Sequence, residues 1–319
     1  MMDPILYFTQ KVGKKMVLSA SRRTDIPCCY SEWFMNRLRE GFAYTRNPMN
    51  PAQLSRIPLT PEIVDCIVFW TKDAENMLPY LEELDRMGYR YYFQFTVTPY
   101  GRTIEKNLRD KIEIEKTFIE LSKRIGRERV VWRYDPIVLN ETITAVSHKE
   151  QFRRLCETLS SYTERVILSY VDLYAKLKTP LLREISQDEM AELSSFIGTT
   201  AKEYGLVPQA CCEQHDLSRW GIGRASCIDR ELIGRICGEP LAIPPDRNQR
   251  SGCGCVQSVD IGAYDTCRNG CIYCYANARP ETARRRFSAL DPHGPLLADR
   301  VAPGETIRER TVKSYRKTF

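Results

Sequence analysis

The chain has 319 residues, of which 43% are hydrophobic and 28% charged, with 17 Gly and 18 Pro, so collagen-like and disordered classes are excluded and one large α/β domain or two smaller ones remain. Thirteen cysteines are about 4% of the residues, below the roughly 8–10% of a disulfide scaffold. The net charge of +6 is uneven: residues 279–319 hold ten Lys/Arg against five Asp/Glu, leaving the rest close to neutral.

From the N-terminus, MMDPILYFTQKVGKK carries no cleavage site of a secreted protein. No later stretch approaches the roughly 18 apolar residues of a membrane span. The reading is therefore cytoplasmic, with no membrane partner and with reduced cysteines that are buried or metal-bound.

A predicted strand over 16–20 runs into SRRTDIP and a helix over 30–40. Strand 65–70 runs into TKD and helix 77–87; strand 91–96 into VTPY and helix 112–125; strand 130–133 into YDPI and helix 148–161. Strand 166–170 precedes VDLY and a helix over 186–204, which Ser186 opens with Glu189 three residues on, the spacing of a capping box. Strand 206–212 leads into EQHD, and a seventh strand over 258–262 comes late.

Strands alternating with helices in this way predict a parallel sheet, either a full or partial (β/α) TIM-like barrel or a doubly wound open sheet. The strand ends carry Ser21, Arg22, Arg23, Thr24, Asp25, Lys72, Thr96, Arg133, Asp135, Asp172 and Glu213. Chemistry in a barrel gathers at that level, although each residue taken alone reads as a loop residue or helix cap. Residues 1–278 read as the barrel with its cysteine loop, and 279–319 as a basic extension, commonly a solvated tail, that offers nucleic acid a weak invitation.

Near the end of the barrel, Cys267-Arg-Asn-Gly-Cys271-Ile-Tyr-Cys274 forms a C-x3-C-x2-C run. Three thiolates on one short loop can each take one iron of a cubane cluster and leave the fourth iron open to a small molecule. Zinc would need a fourth ligand. The chain has three histidines, His148, His215 and His293, so that ligand would come from another cysteine.

TCRNGCIYCYAN, with Tyr273 before the last cysteine, resembles the cluster loop of radical S-adenosylmethionine enzymes, and especially that of the spore photoproduct lyase branch. With SASRRTDIP, FWTKD, FQFTVTPY, WRYDPI and CGCVQSVDIGAYDTC, the chain over roughly residues 17–300 is similar to a bacterial family of radical S-adenosylmethionine-like domains of unknown function. The resemblance implies a 4Fe-4S cluster on Cys267, Cys271 and Cys274. It also implies S-adenosylmethionine chelated at the open iron, a reducing partner such as flavodoxin or ferredoxin, and a small-molecule or macromolecular substrate that loses hydrogen to a 5'-deoxyadenosyl radical. In most such enzymes the loop follows the first strand; here it follows the last. A permutation, with strand 258–262 docked beside strand 16–20, puts it in the same place. The usual Gly-Gly-Glu stretch that holds the amino group of S-adenosylmethionine is not visible.

Among the other cysteines, Cys212, Cys227, Cys253 and Cys255 make the best quartet for a second site, an auxiliary iron–sulfur cluster or a structural zinc, with Gly254 letting the backbone turn between two ligands. Cys211 could replace Cys212, since one of two adjacent strand residues faces inward. Cys66, Cys156 and Cys237 read as core, and Cys28 and Cys29 as weak candidates for a nucleophile. For S-adenosylmethionine or substrate, Arg22 and Arg23 could grip a carboxylate or phosphate, or else pair with Asp25 or Asp135. Arg133 with Asp135 poses the same choice, and Lys72 could reach the carboxylate of S-adenosylmethionine. His215 reads as a loop residue, and Trp70, Tyr92, Phe93, Phe95, Tyr134 and Tyr170 as core. The rival reading is a non-catalytic iron–sulfur or zinc protein that transfers electrons or meets nucleic acid through its basic end.

Overall fold

The computed structural model describes residues 16–173, 179–250 and 252–310. In chain order its elements are β1 (Met16–Ala20), α1 (Ile26–Cys29), α2 (Ser31–Glu40), β2 (Phe42–Asn47), β3 (Asn50–Pro58), β4 (Val64–Thr71), α3 (Leu81–Arg86), β5 (Tyr91–Thr96), α4 (Lys111–Ile125), β6 (Val130–Ile137), α5 (Ala145–Leu159), β7 (Arg165–Tyr170), α6 (Gln187–Glu203), β8 (Val207–Ala210), β9 (Gly223–Arg224), α7 (Arg230–Cys237), β10 (Val259–Asp260), α8 (Pro280–Ser288) and β11 (Thr306–Glu309).

Eight strands form one parallel sheet in the order β10-β1-β4-β5-β6-β7-β8-β9. Its central strands β1, β4, β5 and β6 are largely apolar on both faces, as a sheet covered on both sides requires. Leu18, Phe69, Phe93, Trp132 and Leu168 pack with Phe34, Leu84, Phe118, Phe152 and Ile197 of α2 to α6. Val17, Val68, Tyr92, Val131 and Ile167 pack instead against Ile228, Leu232, Ile233, Ile243 and Val256, so α7 and the irregular chain around it cover the second face. Among the described residues no helix is long and apolar enough to cross a membrane.

The region predicted as one helix over 77–87 is a 3-10 turn at Glu75–Tyr80 followed by α3, because Pro79 cannot donate to a helical ladder. Residues 280–310 correct the reading of a solvated extension. Trp33 Nε1 donates to the Gly294 carbonyl at 2.9 Å, Arg37 Nη2 to that of His293 at 2.7 Å, and Tyr44 N to that of Pro295 at 2.8 Å. The strand β11 then joins the β2–β3 hairpin in a second sheet. Residues 311–319 of the extension lie outside the described residues.

The late strand β10 lies parallel to β1, with Leu18 opposite Val259 and Ser19 opposite Asp260. Just beyond it, a Cβ on Gly262 would stand 2.0 Å from Ser21 Oγ and 2.6 Å from Ser21 Cβ. Gly262→Ala is therefore expected to destabilise the fold by about 1–3 kcal/mol through overpacking. Gly223, with nothing within 4 Å of its Cβ position, serves as the control for Ala substitution. Urea unfolding under reducing conditions checks this: a lower midpoint for Gly262→Ala than for Gly223→Ala is expected, and equal midpoints would mean that β10 is not held this closely.

Candidate functional site

The cysteine loop is positioned by one carboxylate. Asp260 accepts from Ser19 Oγ (2.8 Å), Ser21 Oγ (2.6 Å), the amide of Arg22 (2.8 Å) and the amide of Gly262 (3.0 Å), which clamps β10 to the end of β1. The chain then turns at once into Cys267, Cys271 and Cys274 at the C-terminal edge of the sheet. Tyr275, just past the loop, donates to the Arg22 carbonyl at 2.5 Å.

A second brace comes from the segment after β5. Glu105 pairs with Cys271 across an antiparallel bridge, Ile272 N donates to Ile104 O at 3.0 Å, and Asn107 Nδ2 donates to Arg268 O at 2.7 Å. The Glu105 carboxylate, fully buried, accepts from Lys72 (2.8 Å), Thr98 (2.9 Å), Lys111 and Tyr273. Burial pushes its carboxyl up, but Lys72 and Lys111 together outweigh burial and hold it down at about 2. Tyr273, the aromatic residue before the last cysteine, is thus an anchor, with the Lys72 ammonium 5.3 Å from its ring centre.

Asp25 holds the other flank. Its side chain accepts from the amides of Cys28 (3.0 Å) and Lys72 (2.8 Å) and from Asn269 Nδ2 (2.8 Å), and burial raises its carboxyl to about 6. Asn269 Oδ1 accepts in turn from the thiols of Cys28 (3.5 Å) and Cys29 (3.9 Å), and the Cys29 thiol also interacts with that of Cys267. The three loop thiols lie within electrostatic reach of one another, and Lys72 acts on Cys271 against the burial that raises its thiol. Among the described residues no three His, Cys, Asp or Glu side chains are arranged to hold a metal ion as they stand.

The second group of cysteines also comes together, in a ring of five. Cys227 and Cys211 are 3.3 Å apart at sulfur, the Cys212 thiol feels Cys211 and Cys253, and the Cys255 thiol feels Cys253 and Cys227. The expectation that one of Cys211 and Cys212 faces inward is corrected: β8 stops at Ala210 and Cys212 adopts φ 53, so strand alternation does not govern the pair. Gly254 serves close approach rather than a turn, since a Cβ there would stand 3.1 Å from the Ala225 carbonyl and 2.3 Å from Ser226 Oγ.

The polar candidates divide differently from their reading in sequence. Asp25 and Lys72 are taken up in bracing the loop. Arg133 lies under the ring of five, pairing with Asp135, with Nη1 2.9 Å from Cys227 Sγ. Arg22 bonds Ser258 at 3.0 Å and lies 3.9 Å from Asp246, while Arg23 stacks on Tyr264 at 5.5 Å, so neither pairs with Asp25 or Asp135. His215 and Glu213 line a cleft of about 210 Å³ beside Cys212, and burial raises the Glu213 carboxyl to about 7. Asp260 and Glu105, which organise the loop, escaped the sequence reading: Asp260 sits inside a predicted strand, and Glu105 follows VTPYGRTI with no motif around it.

A family model described as Domain of unknown function (DUF1848) matches residues 17–276, and the chain belongs to that family. No curated protein matches it. Among solved structures, a crystal structure described as a "putative alpha-L-fucosidase" from Bacteroides thetaiotaomicron is similar at 9% identity with a TM-score of 0.27, covering 57% of this chain and 76% of the other.

Replacing Glu105 by Gln leaves two partly buried ammonium groups without their carboxylate, which costs about 3–5 kcal/mol for a broken buried pair. The folded carboxyl titrates below the usual 4.5, so its stabilisation is full above that value and fades as pH falls toward about 2. Denaturant titrations should show a large gap between wild type and Glu105→Gln at pH 7 that narrows below about pH 5; a gap indifferent to pH would count against the ion cluster.

Proposed function

We propose that this member of the family is a radical S-adenosylmethionine enzyme on a partial (β/α) barrel, with Cys267, Cys271 and Cys274 holding a 4Fe-4S cluster, as in the spore photoproduct lyase branch that its loop resembles. The observation that carries the reading is the parallel docking of β10 on β1. It sets a three-thiol loop at the C-terminal edge of a parallel sheet, where α/β enzymes place their chemistry. The donor set fits the group by its chemistry: three thiols on one loop, acting on one another, match in number the three protein ligands of a cubane with one open iron.

When bound and reduced, such a cluster supplies the electron that splits S-adenosylmethionine into methionine and a 5'-deoxyadenosyl radical, which takes a hydrogen atom from the substrate. The chain's own residues hold and orient. Asp260 fixes where the loop begins, Glu105 and Tyr273 fix its middle, and Asn269 ties it to Asp25. Lys72 brings a positive charge near Cys271, which favours thiolate. Arg22 and Arg23, beside the loop's entry, supply guanidinium groups at the rim suited to a carboxylate. The electron would come from a flavodoxin or ferredoxin.

A second reading has one observation in its favour. The Cys29 thiol interacts with that of Cys267, and a fourth thiolate there would close the cluster and leave no iron for S-adenosylmethionine, giving an electron carrier. Anaerobic reconstitution with iron and sulfide, followed by dithionite and S-adenosylmethionine, separates the two. The enzyme forms 5'-deoxyadenosine in wild type and none in Cys271→Ala. A carrier holds its cluster and forms none until Cys29 is replaced by Ala. Zinc in place of iron at this loop would overturn both.

A further inference from the structure

We infer that Cys212, Cys227, Cys253 and Cys255 form a second, closed centre of four thiolates for a soft metal, with Cys211 as a fifth thiol at its edge and Arg133 as its counter-cation. The inference does not depend on the loop of Cys267, Cys271 and Cys274. The four come from three separate stretches of chain, the end of β8, the turn after β9, and the segment before β10, and each thiol interacts electrostatically with at least one other cysteine of the ring. The sulfurs of Cys211 and Cys227 stand 3.3 Å apart, so the fifth thiol lies directly against one of the four.

Two donors face these sulfurs. The amide of Ile228 donates to Cys255 Sγ at 3.3 Å, and Arg133, 6% exposed, aims Nη1 at Cys227 Sγ at 2.9 Å. Arg133 also stands over the Trp70 ring at 5.3 Å, and Trp70 packs against the hydrophobic cluster to which Cys227 and Cys255 belong. Packing alone is a poor account of the ring, because Cys211, Cys212 and Cys253 are only partly buried while a cysteine used as a small hydrophobe is among the most buried residues. The centre would bind the irregular chain that covers the second sheet face to the end of β8, where backbone pairing is sparse.

The soft metal is zinc or the iron of a 4Fe-4S cluster, and the test distinguishes them. The full chain carrying Cys267→Ala, Cys271→Ala and Cys274→Ala is purified anaerobically and divided, one part loaded with zinc and the other with iron and sulfide. Elemental and sulfide analysis should find about one zinc or about four irons and four sulfides per chain. Further replacement of Cys253 and Cys255 by Ser should reduce this at least tenfold, whereas Cys211→Ser keeps it. Should the serine variant fail to fold, alkylation of the loop triple variant gives the same answer: Cys212 and Cys253 are protected with metal and react once a chelator has removed it. A loop variant that retains neither metal, with Cys212 and Cys253 equally reactive before and after loading, would overturn the inference.

Discussion

A strand of two residues cannot hold its place on backbone pairing alone, yet the location of the loop site depends on β10. Asp260 resolves this by gathering four donors from the end of β1 and from Gly262 onto one carboxylate. Hydrogen bonds to a charged acceptor contribute about 1.5–3 kcal/mol each, more than neutral ones. That contact joins residues 241 apart in sequence and decides where Cys267, Cys271 and Cys274 emerge. The lack of space at Gly262 belongs to the same constraint, since a carboxylate clamp works only if the two backbones approach closely.

The two sulfur groups sit in contrasting electrostatic settings. The loop is flanked by Lys72 and Lys111 gathered around the buried Glu105, so Lys72 divides its charge between a carboxylate and Cys271. The ring has Arg133, whose guanidinium bonds Asp135 through one edge and reaches Cys227 and Gln94 through another. A lysine offers a compact charge and an arginine a fixed fork, and the fork suits a crowded cluster where geometry must be held on several sides. In both places burial disfavours the thiolate, and a neighbouring cation works in the opposite direction.

Much of the parallel sheet was legible because its strands are short apolar runs with polar ends: the bounds expected for β1 and β5 coincide with those found, and α6 opens on the capping box read at Ser186 and Glu189. The hairpin of β2 and β3 was not legible, since FAYTRNPMNPAQLSRIP alternates weakly and carries prolines. Nor was the cover of the second face, where Leu241, Ile243 and Val256 are buried from irregular chain that has no period to detect. Cys212, Cys227, Cys253 and Cys255 were found as a group because cysteine is chemically conspicuous. Cys211 was read only as a substitute for Cys212, on an alternation rule that stops applying where β8 ends. Asp260, Glu105 and Asn269 act through tertiary contacts, and a carboxylate or amide in a loop carries no local sign that it will be buried.

The neighbour of β1 in the sheet is one of the last strands to be made. On a ribosome, β1 and β4 emerge early, while Val259 and Asp260 follow nearly two hundred residues after β4. Throughout that interval the free side of β1 is an unpaired parallel edge, the kind of surface on which nascent chains associate wrongly. The loop cysteines come later still, and the chain that closes over α2 later again. The site for any group held by the loop is therefore complete only once β10 has docked on β1, long after the strands on the other side of β1 have been made.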